Sequence, residues 1–188
     1  MNNVAGILPQ PRNLQATAIL DFDRGKVSGI VADLIRPDKS DRMFLQRAPL
    51  YLCQMVRPLY SVNEWQPVSR TLRLKQGSCS QRMACLEALA RAQGIATRVP
   101  ALHVEGALWY SRFWFSRPFI PNYVLLVWPQ YFLAGTWVDI NELYSPMAEL
   151  AAASSGFRND GETLFETVQK TAVDFFGKTC GLACARRD

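Results

Sequence analysis

Histidine is nearly missing from this sequence. His103 is alone among 188 residues, which leaves a metal centre short of its commonest ligand and a histidine-based catalytic set with one candidate. Glycine signatures are missing too: there is no P-loop, no GxGxxG fingerprint and no GxSxG elbow, so a phosphate-cradling loop, a dinucleotide fold and a serine-hydrolase elbow have no foothold. No cofactor is expected. No apolar run approaches the ~20 residues of a membrane-spanning helix; YVLLVW at 123–128 stops at Pro129. The opening MNNVAGILPQPRNLQ has neither a basic n-region nor a usable h-region, so a cytoplasmic protein with no membrane partner is expected. Internal repeats, low-complexity tracts and long linkers are absent, and residues 1–188 are read as a single domain.

The positive charge has no stripe. A formal charge of +5 is scattered, with short clusters at Arg70 to Lys75 and at Arg186 and Arg187, and a nucleic-acid partner is not expected from such a pattern. Solubility explains the charge, and an acidic partner such as a phosphopantetheine carrier domain is the other reading. The five cysteines are an odd number without an export signal, which points to reduced thiols rather than a disulfide framework. Cys180 and Cys184, in CGLAC, have a spacing zinc uses but lack a second ligand pair, so no metal is expected. With 49% apolar and 20% charged residues the chain is globular in composition. Its length suffices to bury roughly 70% of the unfolded surface.

Periodicity places the elements. Residues 15–23 read as strand-like. Val27, Ile30, Val31, Leu34 and Ile35 keep helical spacing within 26–36, ahead of Pro37. More helix is expected over 41–56, with Pro49 either kinking it or starting a second piece. The clearest helix begins at Ser78, which forms a capping box with Gln81, and stops at Gly94. Met83, Leu86, Leu89 and Ala90 mark its core side, and Cys85 reads as core. Past Gly94 the pattern becomes extended in IATRVPALHVEGALWY, NYVLLVW and TWVDIN, read as an antiparallel sheet packed on that helix. A helix capped by Ser145 and a last helix over 162–176 complete an α+β fold.

Cys79 stands in the first turn of the best-signalled helix. Unpaired amides and the helix dipole favour a thiolate there and can hold an oxyanion. Gly77 allows close backbone approach, and Arg73, Lys75 and Arg82 add positive potential. A small residue at a tight junction would serve packing equally well.

The stretch GSCSQRMACLEALARAQGIATRV, residues 77–99, resembles the transglutaminase-like superfamily, which has a papain-like fold; residues 122–141 look like two of its later strands. The resemblance implies Cys79 as nucleophile toward an amide or thioester, with a thioester intermediate resolved by an amine or water. It also implies a His on the second strand and an Asp on the third. Here Asn122 holds the first position. Asp139 and Asn141, two residues apart and so on one strand face, share the region of the second, with Asn141 at the usual Asp spacing from Trp137.

His103 is a candidate replacement base, since the strand returning from Gly94 climbs back toward the cysteine; a histidine unconnected with chemistry is the alternative. Trp109, Trp114 and Tyr123, within an aromatic segment between two strands, could contact substrate or simply cover the sheet. The expected partner is a small-molecule or peptide acyl substrate, borne on an acidic carrier in one version. The expected reaction is acyl transfer, amide formation or cyclisation in small-molecule or peptide biosynthesis, and a thioester would need less base assistance than an amide. A catalytically retired binding domain, or a lyase or cyclase using Cys79, Asn122 and Asp139 for proton transfer, are the alternatives.

Overall fold

The computed structural model describes residues 8–24, 27–34, 40–59, 61, 63, 65–105, 110, 114–143 and 186–187. Within these, Cys79, His103, Trp114, Tyr123 and Asn141 are described by backbone alone. The expected helices at 145 and 162–176, Trp109, and the CGLAC cysteines lie outside the described residues.

Among the described residues, four α-helices precede the strands found between Thr97 and Asp139. Val27, Ile30, Val31 and Leu34 are all buried on α1 (Val27–Leu34), as their spacing predicts. Helix α2 (Asp41–Met55) continues through Pro49 as one helix, with Phe44, Leu45, Ala48 and Leu52 in the core; each of the larger of these is worth about 1.5–3 kcal/mol relative to an exposed side chain. Helix α3 (Val68–Leu74) has no sequence cue of its own. Helix α4 (Cys79–Ala92) touches α1, α2 and α3 as well as the sheet. Every residue from Gln81 to Ala90 is therefore buried, where the sequence suggested a single core side. Its end is a Schellman motif: Ile95 N donates to Ala90 O at 2.9 Å and Gly94 N to Arg91 O at 3.0 Å, with Gly94 at φ 91°.

The stretch 15–23 is not a strand. Its backbone groups are used in turns and in seating α3: Thr17 N donates to Leu20 O, and Val68 N donates to Ile19 O. Asp21 accepts from both the amide and the hydroxyl of Ser69. A carboxylate from 48 residues upstream thus caps α3, whose own N-cap is Pro67 and has no side-chain acceptor.

After α4 come β3 (Thr97–Arg98), β4 (Ala101–Glu105), β5 (Tyr123–Val127), β6 (Gln130–Leu133) and β7 (Thr136–Asp139). Arg98 faces Gln130, and three residues on Ala101 faces Val127, so β3–β6 and β4–β5 share one antiparallel register. The interruption falls where Val99 and Pro100 meet Trp128 and Pro129. Proline supplies no ladder donor, and two of them in this one gap break the pairing. The β6–β7 hairpin turns on Ala134 and Gly135, at φ 48° and 85°, the positive pair of a type I′ turn. The short strand β8 (Arg186–Arg187) pairs with β4 on the side away from β5.

A buried polar network ties α4 to β3 and to the N-terminal segment. Thr97 Oγ1 donates to Glu87 Oε2 at 3.0 Å and accepts from Arg91 Nε at 2.7 Å. The Arg91 guanidinium also lies 3.7 Å from Glu87 and donates to Gln15 O at 2.7 Å. Burial is the largest effect on Glu87 and pushes its carboxyl up to about 7, against the pull of Thr97 and Arg91.

The folded state therefore keeps a proton on Glu87 that the unfolded chain has already released. Its stabilising effect is full below about pH 4.5 and lost as pH rises through about 7. Glu87→Gln is expected to flatten the melting-temperature profile between those limits, removing a swing of up to about 3 kcal/mol. Thermal unfolding of both proteins from pH 4 to 8 checks this, and parallel profiles would contradict it.

Candidate functional site at the start of the cysteine helix

Cys79 is the first residue of α4, directly after the N-cap Ser78. The capping box expected from the sequence is present: Gln81 N donates to Ser78 Oγ at 3.2 Å, and Ser78 N donates to Gln81 Oε1 at 2.9 Å. A helix start has four amides without an intrahelical acceptor. The box engages two of them, at Ser78 and Gln81. The other two belong to Cys79 and Ser80, beside the thiol-bearing residue.

Gln81 also builds the wall next to this turn. Its Nε2 donates to Asn63 O at 2.7 Å and to Ser61 Oγ at 3.4 Å, while Gln66 Nε2 donates to Gln81 Oε1 at 3.4 Å. Leu59 N donates to Gly77 O at 2.9 Å, next to the parallel pairing of β1 (Arg57–Pro58) with β2 (Gln76–Gly77). The segment 59–66 is thereby wrapped around the entry to α4. Trp65 projects from it with 81% of its surface exposed, and Leu59 is exposed as well. Sequence reasoning did not single out this segment. The one cue was the Gln of the capping box, which carries a donor that a Glu would lack.

Gly77 owes its identity to space: a Cβ there would lie 2.9 Å from Thr71 Cγ2 and 3.1 Å from Gln81 Oε1. Of the cations expected to raise the local potential, Arg73 and Lys75 are exposed, so solvent screens them, whereas Arg82 is buried. Cys85 is buried, and that burial drives its thiol up to about 12. It is the inert core residue the sequence suggested.

Of the other candidates, His103, Tyr123 and Asp139 are on strands. Because α4 touches both β3 and β5, it lies along the long ladder. A helix of ~20 Å, by its rise per residue, reaches back to the level of His103 on a strand advancing ~3.3 Å per residue. His103 pairs with Leu125, and Glu105 with Tyr123 at the outer end. Asn122 is exposed in the bend just before β5. The connection from β4 to β5 contains the 3-10 helix Trp114–Phe119. Phe115 and Phe119 are 69% and 86% exposed there and do not cover the sheet.

Asp139 is buried and differently employed. Arg98 Nε donates to Gln130 Oε1 at 2.6 Å, and Gln130 Nε2 donates to Asp139 Oδ1 at 2.6 Å. These three form one row across β3, β6 and β7, with Arg98 stacked 4.3 Å from the Trp137 ring. Thr97 points to α4 through Glu87, and adjacent strand residues face opposite ways. The row with Asp139 accordingly occupies the sheet face away from α4. Asn141 does not share that face by strand alternation, because β7 ends at Asp139 and residues 140–143 form a 3-10 turn.

No family model matches the chain, and none of the curated proteins matches it. Among solved structures, it is similar to a candidate cysteine protease from Cytophaga hutchinsonii, with 16% identity and a TM-score of 0.49 over 68% of this chain. The chain spans 39% of that protein's length.

Gly77→Ala is expected to push the Gln81 amide out of the capping box and lower stability by about 1–3 kcal/mol. Gly29→Ala on α1, where a Cβ meets nothing within 4 Å, should raise it by about 0.5–1 kcal/mol. Urea unfolding of both variants gives the comparison, and equal midpoints would contradict it.

Proposed function

We propose that this chain is a transglutaminase-like cysteine enzyme that moves an acyl group through a thioester on Cys79, in small-molecule or peptide biosynthesis. One observation carries the reading: Cys79 opens a buried helix whose capping box engages the amides on either side of the first turn and leaves those of Cys79 and Ser80 next to the reacting position. The thiolate sulfur attacks the acyl carbon, and the carbonyl electrons move onto oxygen, which those two amides stabilise. Collapse breaks the bond to the leaving thiolate or amine, which takes up a proton. An amine or water then attacks the new thioester and restores the thiol.

The leaving group decides how much help is needed. Asn122 cannot serve as a base, and Asp139 is engaged with Gln130 on the other sheet face. An amide needs a proton delivered to nitrogen; a thioester expels a stable thiolate. The reading therefore favours thioester substrates and transfer or cyclisation over proteolysis. His103, level with the start of α4, is the proposed proton carrier. The same two residues, Asn122 and Asp139, also support a second reading, a retired domain that binds an acyl or peptide ligand without turnover.

Intact-protein mass spectrometry separates the two. Wild type incubated with a panel of acyl thioesters is expected to gain one acyl mass and Cys79→Ala none, with Cys85 unmodified in the folded protein. Absence of any adduct would leave the binding reading. His103→Gln is expected to slow turnover about 100-fold or more, and full turnover in that variant would remove His103 from the mechanism.

A further inference from the structure

The surface beside the start of α4 combines exposed apolar and cationic side chains in a way that the acyl-transfer reading leaves unused. Leu59 and Leu74 are exposed, and Trp65 is 81% exposed, although large apolar side chains of this kind are usually buried. They belong to two segments fixed to the entry of α4. Leu59 is held by Gly77, two residues before Cys79, and Asn63 and Gln66, on either side of Trp65 in the loop, bond to Gln81, two residues after it. Trp65 N itself donates to Asn63 Oδ1 at 3.2 Å, which sets the backbone from which the indole projects. An exposed tryptophan on a pinned loop is a preformed contact surface, because little ordering remains to be done on binding.

Charge identifies what the surface fits. Arg57 on β1, Arg73 on α3 and Lys75 between α3 and β2 are exposed around the same entry. Between Arg57 and Lys75, the segment that carries this surface, the chain contains Arg57, Arg70, Arg73 and Lys75, with Glu64 of opposite sign. A neutral apolar ligand would leave that cationic rim without use, and a purely ionic one would leave Trp65 without use. A ligand with an apolar acyl group at one end and phosphates at the other uses both.

We propose that Trp65, Leu59 and Leu74 form a platform for the apolar acyl group of a phosphopantetheine thioester of the coenzyme A type, with Arg57, Arg73 and Lys75 receiving its phosphates. The proposal rests on Cys79 being the acyl acceptor. It names the substrate class of that site and makes Trp65 a specificity-determining residue. The step is a thiol exchange: the Cys79 sulfur forms a bond to the acyl carbon, the bond from that carbon to the pantetheine sulfur breaks, and the proton lost by Cys79 ends on the free pantetheine thiol.

The test separates binding from chemistry by using Cys79→Ala as host. Decanoyl-coenzyme A and acetyl-coenzyme A are titrated into Cys79→Ala and Cys79→Ala/Trp65→Ala at low and high salt, with calorimetry as readout and circular dichroism confirming folding. The host is expected to bind the decanoyl ester at least about tenfold more tightly than the acetyl ester, since the longer chain buries more methylenes. Loss of Trp65 should erase that preference, and salt should weaken both esters. An unchanged chain-length preference without Trp65 would overturn the platform. So would binding to anionic phosphatidylglycerol vesicles without binding to monomeric decanoyl-coenzyme A, which would mark a lipid-facing surface instead. Tight, Trp65-dependent binding in the host, with no acyl adduct on wild type, would leave the platform standing and remove the proposed chemistry. An adduct on wild type whose rate is the same for both esters, with or without Trp65, would do the reverse.

Discussion

From Gln81 to Ala90 the helix that begins at Cys79 has no face open to water, and a polar group enclosed there must find its partner within the protein. Two polar residues on this helix organise the surroundings as a result. Gln81 collects the segment 59–66 around the first turn, while Glu87, together with Arg91, draws Thr97 of the sheet and the backbone of the N-terminal segment onto the last turns. The helix is the hub, and its enclosed polar groups determine which loop lies at which end. The catalytic reading depends on this, since the first turn keeps its place only while its neighbours are held.

Local signals were legible in the sequence, and long-range ones were not. The capping box of Ser78 and Gln81, the Gly94 stop and the apolar stripe of α1 are each written within a few residues, and each is found as expected. Helix α3 is invisible locally because its cap, Asp21, comes from far upstream. The same fact explains why 15–23 imitates a strand: its alternating pattern serves to aim Asp21 at Ser69 rather than to build a ladder. For the site, the position of Cys79 was readable. The employment of Asp139 was not, since it depends on Gln130 and Arg98 standing directly opposite across two strand pairs. For Asn141 the inference from strand alternation does not apply, because the backbone turns 3-10 after Asp139.

The two prolines at the break in the long ladder divide the sheet by task. On one side β3, β6 and β7 join the end of α4 through Thr97 and are tied by the Arg98, Gln130 and Asp139 row. On the other, β4 carries His103, and Asn122 stands in the bend just before β5. An uninterrupted ladder would make one stiff plane of both. With the break, the ladder consists of two short pairings in one register rather than one continuous pairing.

Glutamate also fits the third position of a capping box, and a carboxylate would be welcomed by the helix dipole. At position 81 it would fail twice. It has no proton to offer the carbonyl of Asn63, which would repel it, and it would fix a full negative charge in the very turn where the proposed chemistry forms a thiolate and then an oxyanion. The uncharged amide closes the helix, orders the loop and leaves the electrostatic attraction of the Cys79 and Ser80 amides unopposed by a neighbouring carboxylate.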